Sequence, residues 1–237
     1  MRYIVALALL GIGITALGQD GTTYGVFPTI DHSGDLSDRW SYNVYLFDAI
    51  KLGDDGGTSA TIRNGSFYAY VEGGLSFKPV KPLALTMAYV HERQFPFQEG
   101  ERIEHRIFQQ LTYKLRAERC EAKFRARFDE RWIHYAEGGS TTFSHRLRLL
   151  AGLKYPTDTR TYLTGYFEGF LTSSNNFSYD EMWSNVQVGF KLGECNAVEI
   201  GPLFIDWRMP DGWLGQRYLQ FTWVSHVDWR KARQPQP

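Results

Sequence analysis

The chain has little of what most familiar functional classes require. Beyond residue 18 it has no apolar run as long as the ~20 residues of a membrane-spanning helix. Its 26 Lys and Arg are balanced by 26 Asp and Glu, so the positive surplus typical of nucleic-acid-binding proteins is missing. It also lacks a Gly-X-Ser-X-Gly segment, a phosphate-binding loop and a paired-cysteine motif. We therefore expect no nucleic-acid partner and no helical membrane anchor.

The first 18 residues have the pattern of an export signal. Arg2 supplies a positive start, an apolar stretch covers Ile4 to Leu17, and small residues stand at Ala16 and Gly18. This pattern predicts a signal peptide over 1–18 with cleavage after Gly18. The remainder divides into an N-terminal segment at 19–39, a main domain at 40–229 and a polar tail at 230–237.

Segments with alternating apolar and polar side chains fill the main domain. They are longer than the ~5–6 residues of ordinary strands, and long enough for the ~9–11 residues that a tilted strand needs to cross a bilayer. The predicted strands are 40–52, 66–78, 83–93, 104–116, 121–135, 142–154, 160–172, 180–192, 197–207 and 216–229.

Segment 142–154 shows how the alternation divides the side chains. Phe143, Leu147 and Leu149 fall on one parity, and Arg146 and Arg148 on the other. Because neighbouring side chains of a strand point to opposite faces, each strand has an oily face and a charged face. After an export signal, this favours an all-β, antiparallel up-and-down transmembrane β-barrel. A soluble β-sandwich is the alternative, although its strands would be shorter.

The number of strands depends on the N-terminal segment. Thr22 to Asp31 could form a further strand, which would bring the total to eleven. Bacterial single-chain barrels have even strand numbers. We therefore predict ten strands, with twelve as the alternative. Short connections alternate with generally longer ones, which matches the turns and loops at the two ends of such a barrel.

Charged residues on the inner parity predict a network across a narrow lumen. Its members are Glu104, Arg106, Arg125, Arg127, Asp129, Arg131, Arg146, Arg148 and Glu168. Counting across the predicted turns places Arg106 opposite Arg131, Arg131 opposite Arg146, and Glu168 beside Arg146 or Arg148. Neighbouring arginines repel unless carboxylates or an anion lie between them. The two interpretations are a lumen filled by salt bridges and a small anion- or solute-conducting pore.

Four histidines share the oily parity near one end of four consecutive predicted strands. They are His91, His105, His134 and His145. At that height they are expected to contact headgroups of the outer leaflet, including lipopolysaccharide, or to be ordinary interfacial residues. Their spacing matches no zinc-binding motif, so we predict no metal site and no cofactor.

Two further features bear on chemistry. Ser144 and His145 are adjacent and so point to opposite faces, which prevents a Ser–His catalytic pair. Cys120 and Cys195 fall in turns four strands apart, roughly 19 Å across the predicted ring. A disulfide needs Cα atoms within about 7 Å, so we predict two free thiols despite the oxidising compartment.

Three parts of the chain carry a resemblance to a known family. The segment Ser33–Trp40, the arginine-rich strands of 104–148 and the strand around Glu168 resemble the bacterial domain-of-unknown-function family 2490. The resemblance implies an outer-membrane barrel and supplies no catalytic residues.

The expected function is a non-enzymatic role in the bacterial outer membrane. The chain is predicted to be a structural, accessory or surface-interaction barrel with a salt-bridged lumen. A small anion pore and a lipid-modifying outer-membrane enzyme are the alternatives. Its expected partners are outer-membrane lipids, including lipopolysaccharide, and the outer-membrane insertion machinery; the sequence names no other protein partner.

Overall fold

The structure is a computed structural model that describes residues 19–55, 64–96, 98–173, 177–209 and 212–232. The predicted signal peptide and residues 233–237 of the predicted tail lie outside these ranges. Within them the chain is almost entirely β-structure. A 3-10 turn at Glu137–Gly139 and a one-turn helix, α1, at Trp229–Ala232 are the described helical elements.

Eleven strands occur in the described residues. They are β1 (Gln19–Asp35), β2 (Trp40–Asp54), β3 (Gly65–Val80), β4 (Leu83–Gln94), β5 (Arg102–Ala117), β6 (Cys120–Tyr135), β7 (Thr141–Pro156), β8 (Thr161–Ser173), β9 (Phe177–Lys191), β10 (Asn196–Met209) and β11 (Gly212–Asp228). Strands β2 to β11 correspond to the ten predicted segments, and most extend past the predicted bounds. The last ends at Asp228, because Trp229 begins α1.

The eleven strands form one closed barrel in which each strand pairs with its neighbours in sequence. All of these sequential pairs are antiparallel, whereas β1 and β11 close the barrel in parallel. The prediction of a closed all-β barrel is confirmed. The predictions of ten and of twelve strands are wrong, because the even-number rule assumes an antiparallel closing pair and a parallel pair allows an odd number.

Strand β1 completes the wall along its whole length. It pairs with β11 from Thr22 opposite Gly215 to Asp35 opposite Asp228. At Gly25 the wall has no room for a side chain, since a Cβ there would lie 2.0 Å from the carbonyl oxygen of Ile50. The segment predicted as an optional extra strand is therefore an integral part of the sheet.

The barrel has two distinct ends. The turn end carries the short connections after β1, β3, β5, β7 and β9, and the loop end carries the others. The longer loop-end connections follow β2 and β4. The predicted long loops at 173–179 and 208–215 shrink, because β8 to β11 extend into them. Since β1 runs parallel to β11, Gln19 lies at the loop end and Asp228 at the turn end.

Side chains alternate between the inside and the outside of the barrel along each strand. In β7, Leu149 points outward with 49% of its surface exposed, and Leu150 points inward with 8% exposed. Large apolar side chains cover the outside all round. Examples from eight strands are Ile30, Leu75, Met87, Leu111, Phe124, Leu149, Phe167 and Phe221. Among the described residues, no helix is both long enough and apolar enough to cross a membrane.

The core of the molecule is the filled lumen. An aromatic cluster lies across it, with Phe27 stacked on Phe47 at 4.5 Å and Phe47 stacked on Tyr70 at 4.5 Å between ring centroids. Trp183 from the opposite wall meets Phe47 edge-on at 6.0 Å. These rings bridge β1, β2, β3 and β9 through the middle of the barrel, which leaves the remaining lumen to polar side chains.

Candidate functional site: the lumen

The loop half of the lumen is built around Glu104 of β5, which has no exposed surface. Arg131 of β6 binds it through two parallel hydrogen bonds, Nε to Oε1 at 2.5 Å and Nη2 to Oε2 at 2.9 Å. Arg106 donates to the same carboxylate and also to Glu92 of β4. Paired arginines and carboxylates in this geometry are among the strongest side-chain contacts available to a protein.

A second cluster surrounds Arg127 of β6, in the middle of the lumen. Its Nε donates to Asp129 at 2.5 Å, and its Nη1 donates to Glu72 of β3 at 2.9 Å. The hydroxyl of Tyr70 donates to Glu72 at 2.7 Å, and the guanidinium lies 3.5 Å from the ring centroid of Phe108. Because β6 and β3 are not neighbours, these contacts cross the lumen.

A third cluster joins β6, β7 and β8. Glu168 accepts two hydrogen bonds from Arg148, at 2.8 and 3.0 Å, and one from Arg125, at 2.5 Å. Nearby, Arg146 donates to Glu181 of β9 at 3.2 Å, and the indole of Trp183 donates to the same carboxylate at 2.5 Å. The barrel is therefore tied together by ion pairs around much of its circumference.

The structure brings every residue of the predicted network into these clusters. Six arginines were predicted against three carboxylates, which left half of the positive charge without a partner. The structure supplies three more carboxylates, Glu72, Glu92 and Glu181. All three lie on the inner parity of predicted strands, so the shortage of negative charge was the signal that could have identified them.

One of the three predicted registers is wrong. Arg106 lies opposite Arg131 and Glu168 binds Arg148, as expected. Arg131 lies opposite Ser144 rather than Arg146, because the turn is centred one residue earlier than predicted and His134 pairs with Thr141. The two-residue slip keeps each side chain on its predicted face. It places Arg146 opposite Asp129, a carboxylate, rather than opposite another arginine.

Aromatic side chains close the lumen at the loop end. Phe67 contacts Phe95 at 4.9 Å and Trp207 at 5.6 Å between ring centroids. Phe95 adopts the left-handed backbone conformation, with φ 51°, which is uncommon for an aromatic residue. Its amide donates to the carbonyl oxygen of Phe67 at 3.0 Å, which ties the backbone after β4 to β3.

The turn half of the lumen is open in comparison. A cavity of about 480 Å³ begins beside Glu92 and Arg106 of the loop half, passes the central ion pairs and extends to the turn end. Asp35, Lys78 and His226 line it near that end, where Lys78 donates to Asp35 at 2.6 Å. Deeper in, it is lined by Asp31, Tyr45, Lys114, Lys123, Arg125 and Tyr166. Among the described residues, the lumen therefore has packed aromatic rings at its loop end and a hollow that widens towards its turn end.

The four predicted histidines face outward and do not form one cluster. His91 and His105 lie opposite each other across β4 and β5, with ring centroids 5.0 Å apart. His145 stacks on Phe128, and His134 lies 3.1 Å from the hydroxyl of Thr141. In the part of the chain that the structure describes, no group of three or more His, Cys, Asp or Glu is arranged to hold a metal ion.

The structure also locates the predicted serine–histidine neighbours and the two cysteines. The hydroxyl of Ser144 is buried, whereas His145 packs on the outside against Phe128, so the two lie on opposite faces of β7. Cys120 and Cys195 are both free.

In the turn after β7, Asp158 accepts hydrogen bonds from the hydroxyl and amide of Thr161 and from the amide of Arg160. These hydrogen bonds lower the pKa of its carboxyl below the ordinary value.

Helix α1 is anchored at the same turn end. Arg230 of α1 donates to Asp228 at 2.7 Å and to Asp38, in the turn after β1, at 2.9 Å. These carboxylates raise the pKa of Arg230 above its ordinary value. The closing seam between the first and last strands is thus pinned at its turn end.

Comparison with known proteins yields a family and a distant structural neighbour. A search of curated proteins finds no match. A solved structure that resembles the chain is the crystal structure of the siderophore receptor PirA from Pseudomonas aeruginosa, at 12% identity and a TM-score of 0.30. The match covers 82% of this chain and 53% of that one, so the chain spans about half the receptor's length. A similarity this distant does not bear on the role of this protein.

The family match covers most of the chain. The profile of a family described as "Protein of unknown function (DUF2490)" matches residues 25–205, from β1 into β10. This range contains every ion pair of the three lumen clusters, and it confirms the resemblance seen in the sequence. The protein therefore belongs to the DUF2490 family.

Proposed function

We propose that this protein is an outer-membrane barrel whose strands span the bilayer and whose lumen does not conduct. Its role is structural or surface-interacting rather than enzymatic. Outer-membrane lipids contact its apolar exterior, and the outer-membrane insertion machinery assembles it. In this placement the turn end faces the periplasm and the loop end faces the cell exterior.

The exterior supports the placement in a membrane. Phe124, Leu149 and Phe221, on three different strands, each expose 40% or more of their surface. An exposed apolar surface that continues around a protein is costly in water, and lipid removes that cost. His91, His105 and His145 interrupt this surface on its loop-end side, where lipid headgroups would meet them.

The observation that supports a closed lumen is the network of ion pairs across it. Arg127 forms ion pairs with both Glu72 on β3 and Asp129 on β6, and its side chain is only 2% exposed. A pore that selects anions needs arginines whose charge is available to the passing ion. Here each network arginine has a carboxylate partner, and aromatic rings cover the loop end.

Lipid contact is tested by fluorescent probes at two adjacent positions. A probe attached at Leu149→Cys, in a variant that lacks Cys120 and Cys195, should be dimmed by a quencher dissolved in the lipid phase. The same probe at Leu150→Cys points into the lumen and should be spared. Equal quenching at both positions would contradict the membrane-spanning arrangement.

Conductance of the purified protein in a planar bilayer tests the closed lumen. We expect no steady channel steps in potassium chloride, because the central ion pairs and the loop-end aromatics block the path. Anion-selective steps would instead establish the pore. Hydrolysis of phospholipid by the same silent preparation would establish the enzyme alternative.

A further inference from the structure

Several polar groups that line the turn half of the cavity have no hydrogen-bond partner in the described part of the chain. Among the described residues, Lys123 of β6 forms no hydrogen bond or ion pair, and neither does the carboxylate of Asp31 on β1. The hydroxyls of Tyr45 and Tyr166 likewise have no partner within the described ranges. The Nε atom of Arg125 is buried without an acceptor. All five residues line the same cavity.

A polar group without a partner is costly in a protein interior, at about 1–3 kcal/mol for a neutral group and more for a charge. Buried polar atoms without a partner occur in the loop half as well, for example Nε of Arg102 and of Arg146. Lys123, Asp31, Tyr45 and Tyr166 differ from these because they line one cavity and are not sealed off from it. A solute bound in the cavity can therefore complete their contacts.

We propose that this cavity is a binding site for a small hydrophilic anion that enters from the turn end. An anionic group, phosphate or carboxylate, lies against the ammonium of Lys123 and the guanidinium of Arg125. Hydroxyl groups of the same solute donate to Asp31 and contact the hydroxyls of Tyr45 and Tyr166. The proposal needs only the barrel and not its placement in a membrane, so it extends beyond the proposed function.

The charge and size of the cavity define the class of ligand. Lys114 lies opposite Lys123 across β5 and β6, and Arg125 follows on the same face. Of these three cations, Arg125 shares Glu168 with Arg148, and Lys114 has a partly exposed partner, Glu121, at 3.5 Å. The local positive charge favours an anion over a neutral sugar. A volume of about 480 Å³ lies in the ~300–1,000 Å³ range of small-molecule sites.

Calorimetric titration of the full barrel in a non-ionic detergent at low ionic strength tests the site. The probes are glucose 6-phosphate, gluconate and glucose, which separate a phosphate, a carboxylate and hydroxyl groups alone. We expect saturable binding of at least one of the two anions and no detectable binding of glucose. Lys123→Met should weaken the binding at least ~10-fold, as expected for loss of a charged contact.

Two further variants separate binding from folding. Lys81→Met removes the same charge from an exposed position in the turn after β3, outside the cavity, and should bind as the wild type does. Asp31→Asn removes a negative charge from the cavity and should tighten anion binding. Heat-modifiable migration on a gel shows that each variant remains a barrel.

The outcomes decide the proposal without reference to the membrane. Absence of saturable binding for both anions would overturn it, and so would equal affinities in the wild type and Lys123→Met. Channel steps in a bilayer would refute the closed lumen, yet the titration in detergent would still decide the site.

Discussion

The two halves of the lumen use charge in opposite ways. In the loop half, Glu104 is fully buried and is bound by Arg106 and Arg131, so positive and negative groups neutralise each other. In the turn half, Lys123 and Asp31 line a hollow, and neither has a hydrogen-bond partner or a close ion-pair partner among the described residues. A charged lumen can therefore serve as a filled core at one end and as a receptive surface at the other.

The largest loss of stability is expected from Glu104→Gln. The amide keeps the size of the side chain but leaves Arg106 and Arg131 without its charge in a buried setting. Breaking a buried ion pair by removing one partner typically costs ~3–5 kcal/mol. Unfolding by urea in detergent, followed by gel migration, should show a loss in that range.

The matched control for that variant is Glu121→Gln at the turn end. Glu121 pairs with Arg116, whose side chain is 80% exposed, so the same substitution should cost less than ~1 kcal/mol. Equal losses for the two variants would mean that the loop half is not a special region of the barrel.

A smaller loss is expected from Glu168→Gln, at the boundary between the two halves. The substitution removes the negative charge from the carboxylate that accepts two hydrogen bonds from Arg148. Arg125 lines the cavity, where water can solvate its charge. We expect a cost of ~2–3 kcal/mol, below that of Glu104→Gln. A cost above that of Glu104→Gln in the same urea titration would contradict the difference between the halves.

For Lys123→Met in the ligand-free protein, the change in stability should have the opposite sign. The substitution removes an unpaired cation from the turn half and replaces it with an apolar side chain of similar length. Because desolvating an unpaired charge is unfavourable, stability should rise by ~1 kcal/mol or stay unchanged. A marked loss of stability would show that Lys123 has a structural partner.

The sequence was sufficient for the fold because alternation is a local property. Leu149 and Leu150 are adjacent and chemically alike, yet their neighbours' parity assigned one outward and one inward, and their exposures of 49% and 8% agree. The parallel closure by β1 could not be obtained in the same way. Pairing between residues 22 and 215 depends on the whole ring of strands, and no short-range pattern encodes it.

The predicted lumen network was incomplete for a related reason. The arginines stand out because several lie on consecutive strands, whereas Glu72, Glu92 and Glu181 occur singly on strands of ordinary composition. Glu72 and Glu181 pair with arginines on strands that are not their neighbours, beyond the reach of hairpin counting. Glu92 pairs with Arg106 across the β4–β5 hairpin, where no register was predicted. Charge balance, rather than spacing, was the available clue.

The smallest effect is expected in the turn after β7, which depends on neither half of the lumen. Asp158 is exposed, and its pKa is lowered by hydrogen bonds from Thr161 and Arg160. A group whose folded pKa is lowered contributes stability above its ordinary pKa, and the contribution is lost as the pH falls below that value. The amides of Arg160 and Thr161 should therefore exchange more slowly than their intrinsic rate near neutral pH and lose that protection in acid.

Asp158→Ala removes the acceptor and tests whether this turn is independent of the lumen. Both amides should then exchange at their intrinsic rates at every pH, and the barrel should melt within ~1 °C of the wild type. Glu104→Gln should do the reverse and destabilise the barrel without changing exchange at these amides under native conditions. If Asp158→Ala lowered the melting temperature as much as Glu104→Gln does, the turn end would carry the stability that the buried ion pairs of the loop half are expected to provide.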